Sequence, residues 1–575
     1  MKMRILSVVI LLAVWVGTPT PKAEGNPFES DAALSTQTPI DECVFARLKK
    51  LNVEPARICS DAVFVRRTFL DVIGTLPTAK EAREFLEDKD PKKRSALIDR
   101  LLERDEFADY WAMKWGDLLR IRAEFPINLW PNAAQAYHRW VHDCLRENMP
   151  YDKFVREMLT ANGSNFRVGQ VNFYRAVQSK DQETIAKAVA LTFMGTRAEK
   201  WPKEQLAGMA QFFSKIAFKQ TGEWKEEIIF FDPAKTATLA TNSLEQATTA
   251  PAEAAEKNGN KKKSEGSKPA KLTAVFPDGT QVKIAEGRDP RALFADWLIT
   301  AKNPWFARNI VNRAWSWFME RGIIHEPDDI RPDNKPVNPE LLAYLEKQLV
   351  AGKYDLKHLF RLILNSQTYQ LSSVPKTKSP EAEANFASYP LRRLEAEVLI
   401  DALNQITGTT EKYSSPVPEP FTFIPEDQRS IALPDSSITS SFLEMFGRPS
   451  RDTGLELERS SKPTADQRLH MLNSSHIQRK IEGSPKLQAL FSSGANKPPN
   501  KRGKFRRESN PNPAAETRKP GEVINQLYLT ILSRFPTEQE MKAVSEYMQA
   551  TTSKREAAVD LAWALVNSAE FLYRH

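Results

Sequence analysis

Cysteine is nearly absent, with three in 575 residues: Cys43, Cys59 and Cys144. No Cys-x-x-Cys and no Cys-x-x-Cys-His occurs, which excludes a multi-cysteine zinc site and the usual covalent c-type haem. One intramolecular disulfide at most can form. Cys43 and Cys59 are the nearest pair, and the pairing stays open. Glycine is scarce at 22 residues, and no Gly-x-Ser-x-Gly, Walker or dinucleotide fingerprint is present. That argues against phosphate-cradling loops and against a hydrolase nucleophile elbow. Long apolar runs are also missing, apart from Ile5 to Val16. Lys2 and Arg4 precede it and Gly17 to Ala23 follow, so residues 1–23 read as a secretory signal. The run is short for a membrane span, and no lipidation cysteine follows it. No transmembrane helix is expected after signal removal. Retention as an uncleaved anchor is the alternative, because Pro21 fits the cleavage site poorly.

The chain carries a formal net charge of +8, which would suit nucleic acid if it lay on a folded face. It does not. Glu256 to Lys271 holds six lysines against two glutamates, and Lys497 to Lys519 holds eight basic residues against two acidic ones. These two stretches outweigh the whole excess, so the rest of the chain is slightly acidic. Both are rich in Gly, Pro, Ser or Asn and read as unfolded, and nucleic acid is not the expected partner.

What is abundant is helical periodicity. Asp41 to Leu51, Asp61 to Val72, Arg94 to Leu102, Phe107 to Ile121, Ala133 to Glu147, Tyr151 to Thr160, Thr184 to Met194 and Lys203 to Ile216 all repeat apolar residues at helical spacing. Thr78-Ala-Lys-Glu81 is a capping box. Lys225 to Phe231 reads as a strand, and Leu272 to Ile284, folded around Pro-Asp-Gly, as a hairpin that pairs with it. Further helices are predicted over Arg291–Thr300, Pro304–Arg321, Leu356–Leu364, Leu391–Ile406 and Glu522–Ser533, another begins at Pro339, and the last region runs from Thr537. Residues 410–441 read as loop. An aliphatic-Asn-Ser-x-x-apolar pattern recurs at Leu364, Leu472 and Val566 and reads as a helix junction. The fold class is mainly α: two interlocked multi-helix domains with a small β element. The predicted divisions are a helical domain over 39–232, a low-complexity linker over 234–270, a β-hairpin over 271–285, a second helical domain over 286–490, a basic disordered segment over 495–520, and a closing helical region over 521–575.

Two blocks carry a resemblance. Phe64 to Thr78, Leu97 to Leu102 and Trp115 to Arg120 resemble the planctomycete cytochrome-C-associated domain, domain of unknown function 1549. Pro290-Arg291, Asn303-Pro304, Asn309 to Trp315, Arg321-Gly322, Pro327 to Asp329, Pro339 to Leu342 and Arg392 to Glu397 resemble its usual companion, domain of unknown function 1553. The resemblance implies export and a helical architecture, and no particular reaction. Many relatives of the first domain carry a Cys-x-x-Cys-His stretch where this chain has Thr192 to Pro202, so no haem cofactor carries over.

Candidate sites are weighed against structural duties. His138 and His142 share a helix face at a spacing that suits two metal ligands, although Arg139 replaces the glutamate of a zincin helix, and a divalent metal is not the leading expectation. Arg66, Arg67 and Asp71 on one helix, with Asp117 and Arg120 on another, could bind an anion bidentately or could pair internally. The same choice applies to Arg313, Arg392, Arg393, Glu395 and Glu397. Asp328 and Asp329 read as turn or capping residues. Trp111, Trp115, Trp315 and Trp317 read as core, whereas Trp130, next to Pro131, reads as an exposed platform. The expected role is an exported, non-catalytic binding or scaffold protein for an acidic polysaccharide or a cell-surface partner. A metal-assisted polysaccharide hydrolase or lyase is the alternative. A third possibility is attachment to another exported protein through the 497–519 segment.

Overall fold

A computed structural model describes residues 26–124, 127, 129–235, 272–491 and 520–575. The predicted signal, low-complexity linker and basic segment fall largely or wholly outside them. The architecture is mainly α-helical. Local signals place most helices as predicted, but the helix expected over Leu391–Ile406 begins only at Ala396, because Arg392–Arg393 is a strand. Thr78 accepts from the Glu81 backbone N–H while the Glu81 carboxylate reaches back, which opens Ala79–Glu87. The same box at Thr537 and Glu540 opens Glu538–Ala550. Pro339 starts Pro339–Ala351 behind the Asn338 cap. Asp61–Ile73 stops at Gly74, whose φ of 59° ends the helix in the left-handed region.

Two of the three Asn-Ser repeats, at Asn473 and Asn567, join consecutive helices, whereas at Asn365 the helix Leu356–Leu364 ends and turns follow. Asn365 Nδ2 donates back to the Arg361 carbonyl and Asn567 Nδ2 to that of Trp563. Ser474 and Ser568 cap the helices that follow them.

Two β expectations need correction. The predicted helix over Lys203–Ile216 ends at Ala210, and Ile216–Gln220 is a strand. It pairs antiparallel with Glu227–Phe231, whose other edge takes Gly163–Ser164. The hairpin of Thr273–Val275 and Gln281–Lys283 forms its own two-stranded sheet and does not join that strand. Its packing explains why: Ala274 and Phe276 are buried, and Phe276 stacks on Phe212 and Trp297. The hairpin therefore closes on the helices rather than extending the sheet.

The two helical halves share one apolar core that runs from Ile40 to Phe571. Trp111 and Trp115 of Asp105–Leu118 meet Trp317 and Phe318 of Phe306–Met319, with Trp111–Trp317 ring centroids 5.1 Å apart. The short strand Tyr573–Arg574 pairs with Arg392–Arg393, tying the last residues of the sequence to the middle of the second half. All three cysteines are free thiols. No helix among the described residues is long and apolar enough to cross a membrane.

Candidate functional site

The arginine and carboxylate clusters predicted from the sequence come together, but inside the protein. Asp71 and Glu395 anchor one part. Asp71 Oδ1 accepts from Arg392 Nη2 and Arg574 Nη1, both at 2.9 Å, and Oδ2 accepts from the hydroxyls of Tyr369 (2.9 Å) and Tyr389 (2.8 Å). Glu395 accepts from Lys114 Nζ at 2.6 Å and also from Arg574. Despite burial, the cations Arg574 and Lys114 hold the Glu395 carboxyl well below its ordinary range.

The second part lies beside it. Asp117 takes Arg451 Nε at 2.8 Å and Arg459 Nε at 2.9 Å. Arg459 also grips Glu397 through both terminal nitrogens, at 2.7 and 3.0 Å. Asp328 lies in a turn, as expected, and accepts the Glu456 backbone N–H at 2.7 Å at the start of Glu456–Glu458, but it is fully buried and lies 2.6 Å from Arg313 Nη2. A carboxylate removed from water needs a cation or several donors; for Asp71 and Asp117 these come from the other half of the sequence, and Lys114 reaches across to Glu395, whereas Arg459–Glu397 and Arg313–Asp328 lie within the second half.

The guanidinium groups foreseen as an anion site make internal hydrogen bonds, although Arg66 Nε, Arg67 Nη2, Arg120 Nη1 and Arg393 Nε are buried without a hydrogen-bond partner. Arg66 donates to the carbonyls of Ile531 and Phe571. Ile531 lies in the last turn of Pro520–Leu532, where helix carbonyls lack intrahelical partners. Arg67 donates to the carbonyls of Tyr369, Leu371 and His575. Arg393 donates to those of Leu394, Phe446 and Ser460. Arg120 is buried under Thr453 and Thr192. Burial lowers its affinity for a proton to a pKa of about 10, as it does for Arg66, and both remain charged at neutral pH. None of these side chains faces solvent, so they hold helices together rather than a ligand.

His138 and His142 share a face as predicted, with ring centroids 6.3 Å apart. Their roles diverge. His138 is buried, and desolvation with the nearby Arg451 drops its pKa to about 3, which keeps it neutral. His142 lies 3.3 Å from Asp109 and 3.5 Å from Asp143, and hydrogen bonding to Asp109 raises its pKa. Among the described residues no group of three or more His, Cys, Asp and Glu is arranged to hold a metal ion. The two rings are therefore not a completed ligand set.

The exposed feature lies elsewhere, at the predicted platform residue Trp130. Trp130 caps the helix Pro131–Arg146 and is half-buried. Phe421 packs edge-on against it at 5.2 Å. Trp224 and Lys225 sit on the loop between Ile216–Gln220 and Glu227–Phe231. The Lys225 ammonium lies 5.9 Å from the Trp130 ring centre and 5.4 Å from that of Trp224. Trp224 is 69% exposed and Phe423 71%. Three segments far apart in sequence thus build one apolar, cationic surface. Large exposed aromatics of this kind mark contact surfaces more often than single exposed leucines do. The sequence reading missed Trp224, Lys225, Phe421 and Phe423. The available signal was an indole in a polar turn, Gly222-Glu-Trp-Lys225, where no core demands it.

Comparison with protein families fits this architecture. Residues 39–215 match the family described as protein of unknown function DUF1549, and residues 290–548 the family described as protein of unknown function DUF1553. The chain is a DUF1549–DUF1553 protein, with the two domains in the order that the sequence resemblance implied. No curated protein and no solved structure matches it.

Proposed function

We propose that this protein is an exported binding protein that holds an acidic polysaccharide on the surface formed by Trp130, Trp224, Phe421 and Lys225. The observation that carries the reading is the Lys225 ammonium set between two indoles, one of them largely exposed. Aromatic faces accept the apolar C–H face of a sugar ring, and the cation supplies charge for a uronate or sulfate. No carboxylate lies within ion-pair distance of Lys225 among the described residues, so its charge is available. The internal consumption of Arg66, Arg67, Arg392 and Arg393 supports placing the contact on this surface rather than in the interior. The signal-like segment over residues 1–23 supports a periplasmic or cell-surface location.

The test uses the purified mature chain with uronate-containing, sulfated and neutral polysaccharides at low and high salt, following both binding and chain length. Salt-sensitive binding to the acidic polymers is expected. Trp224→Ala should weaken it roughly 3- to 10-fold, the loss of one aromatic contact of about 1 kcal/mol. Lys225→Glu should remove the salt sensitivity. Binding that ignores both substitutions would refute the assignment, and shortening of the polymer would make the protein an enzyme.

A further inference from the structure

A second pair of histidines, which sequence reasoning did not single out, brings its rings closer together than the first pair does. His470 lies on Ala465–Asn473 and His476 on Ser475–Glu482. The two helices meet at Ser474, whose hydroxyl accepts the Ile477 N–H at 3.3 Å and caps the second helix. This one-residue break turns the chain, so positions six apart face each other instead of lying on different sides of a continuous helix. The ring centroids are 5.7 Å apart, and His470 Nε2 lies 3.4 Å from His476 Nδ1.

We propose that His470 and His476 form a two-imidazole site for a divalent transition cation of the Zn²⁺ type. Two nitrogens held tetrahedrally at about 2.0–2.1 Å from Zn²⁺ lie about 3.4 Å apart, so the observed spacing already matches the bite of one ion. The tautomers agree with this. His476 Nε2 is 2.9 Å from Glu411 Oε2, and a carboxylate there takes the Nε2 proton. His476 Nδ1 is left with its lone pair directed at His470. An orienting carboxylate behind an imidazole is the usual outer support of a metal-ligating histidine. Lys480 lies 3.0 Å from the same carboxylate and also donates to Asn404 Oδ1 and the Thr410 carbonyl, both at 2.8 Å.

On binding, the proton that His470 shares through Nε2 moves to its Nδ1, and both facing nitrogens donate lone pairs. Phe442 stands edge-on to both rings, with centroids 5.8 Å away in each case, and limits their rotation. Both histidines remain half-exposed, so the ion has a path of entry and its other positions are open to water or to a donor from outside. Imidazole nitrogen favours Zn²⁺ and Cu²⁺ over Mg²⁺ or Ca²⁺, which require oxygen.

Isothermal titration of the full mature chain with Zn²⁺ near neutral pH, in a non-chelating buffer, tests the site. One ion per chain is expected, with no response to Mg²⁺. His470→Ala and His476→Ala should each abolish that binding, while His142→Asn leaves it unchanged. Glu411→Gln should weaken it about 10-fold or more. Zn²⁺ should also raise the melting temperature of the native chain and not that of His476→Ala, a readout that also reports whether the variant folds. Absence of stoichiometric Zn²⁺ binding would overturn the proposal, as would unchanged binding in folded His470→Ala and His476→Ala.

Discussion

Removing the Asp71 carboxylate gives the sharpest test of the buried charge network. In Asp71→Ala, Arg392 and Arg574 lose the anion they share, and the hydroxyls of Tyr369 and Tyr389 lose their acceptor. Breaking a buried ion pair from one side costs about 3–5 kcal/mol, and a stranded buried hydroxyl adds about 1–3 kcal/mol. The compensation is partial. Arg574 keeps Glu395, and Arg392 keeps the Trp317 carbonyl at 2.8 Å. The lower ends of both ranges therefore apply, for a total of about 4–5 kcal/mol. Unfolding entropy of about 2 cal/mol/K per residue gives roughly 1 kcal/mol/K for a chain of this size, so the expected fall in Tm is about 4–5 °C. The comparison is Glu84→Ala, which breaks the exposed Lys80–Glu84 pair at 3.7 Å and should move Tm by less than about 1 °C. Scanning calorimetry of the three proteins measures both. A double variant, Asp71→Ala with Arg574→Met, should lose less than the two single variants combined, because the second change removes the charge that the first strands. A Tm for Asp71→Ala within the range of Glu84→Ala, or strict additivity in the double variant, would refute the reasoning.

Three further outcomes follow from the same packing. Gly116→Ala would place a methyl 2.8 Å from the Arg451 guanidinium carbon, so this buried arginine must shift and lose Asp117; a loss of about 1–3 kcal/mol in urea unfolding is expected, and an unchanged midpoint would contradict the contact. The Glu397 carboxyl is lowered to about 2, since Arg459 and Arg448 outweigh the burial that opposes them; its contribution is complete above its ordinary value of 4.5 and disappears as pH falls towards 2. Over that window Glu397→Gln should lose about 3 kcal/mol less stability than the native chain, read as the difference between two urea-unfolding series against pH. Residues 26–235 expressed alone should lack fixed near-ultraviolet dichroism, because Asp71, Lys114 and Asp117 then lose their cross-half partners and Trp111 loses Trp317; adding residues 272–575 should restore the signal, and a well-packed isolated half would show the two halves to be independent.

Much of the local structure was legible in the sequence. Thr78 with Glu81, Thr537 with Glu540 and Pro339 behind Asn338 are capping signals within four residues, and each opens the helix it predicted. Trp111, Trp115 and Trp315 at helical spacing were read as core and are at most 1% exposed. Trp130 was read as an exposed platform; it is half-buried and borders the exposed aromatic surface. The strand partners were misjudged because a hairpin signal says nothing about which surface its buried face will meet.

The sites were far less legible, for one physical reason. Arg66 and Arg67 are adjacent on Asp61–Ile73, and sequence spacing shows that they share a helix but not what their guanidinium groups will reach. Chain segments roughly 300 to 500 positions away supply those carbonyls. The Asp71, Glu395 and Asp117 pairings, the convergence of Trp130, Lys225 and Phe421, and the approach of Glu411 to His476 are likewise set by which helices pack together. Hydrogen-bond capping and amphipathic spacing act over a few residues, so the local order of residues by itself determined helical content, most helix ends and the apolar faces. Whether a charge is spent in the interior or offered to a ligand depends on the groups that close over it, and that was decided only when the two halves folded around one core.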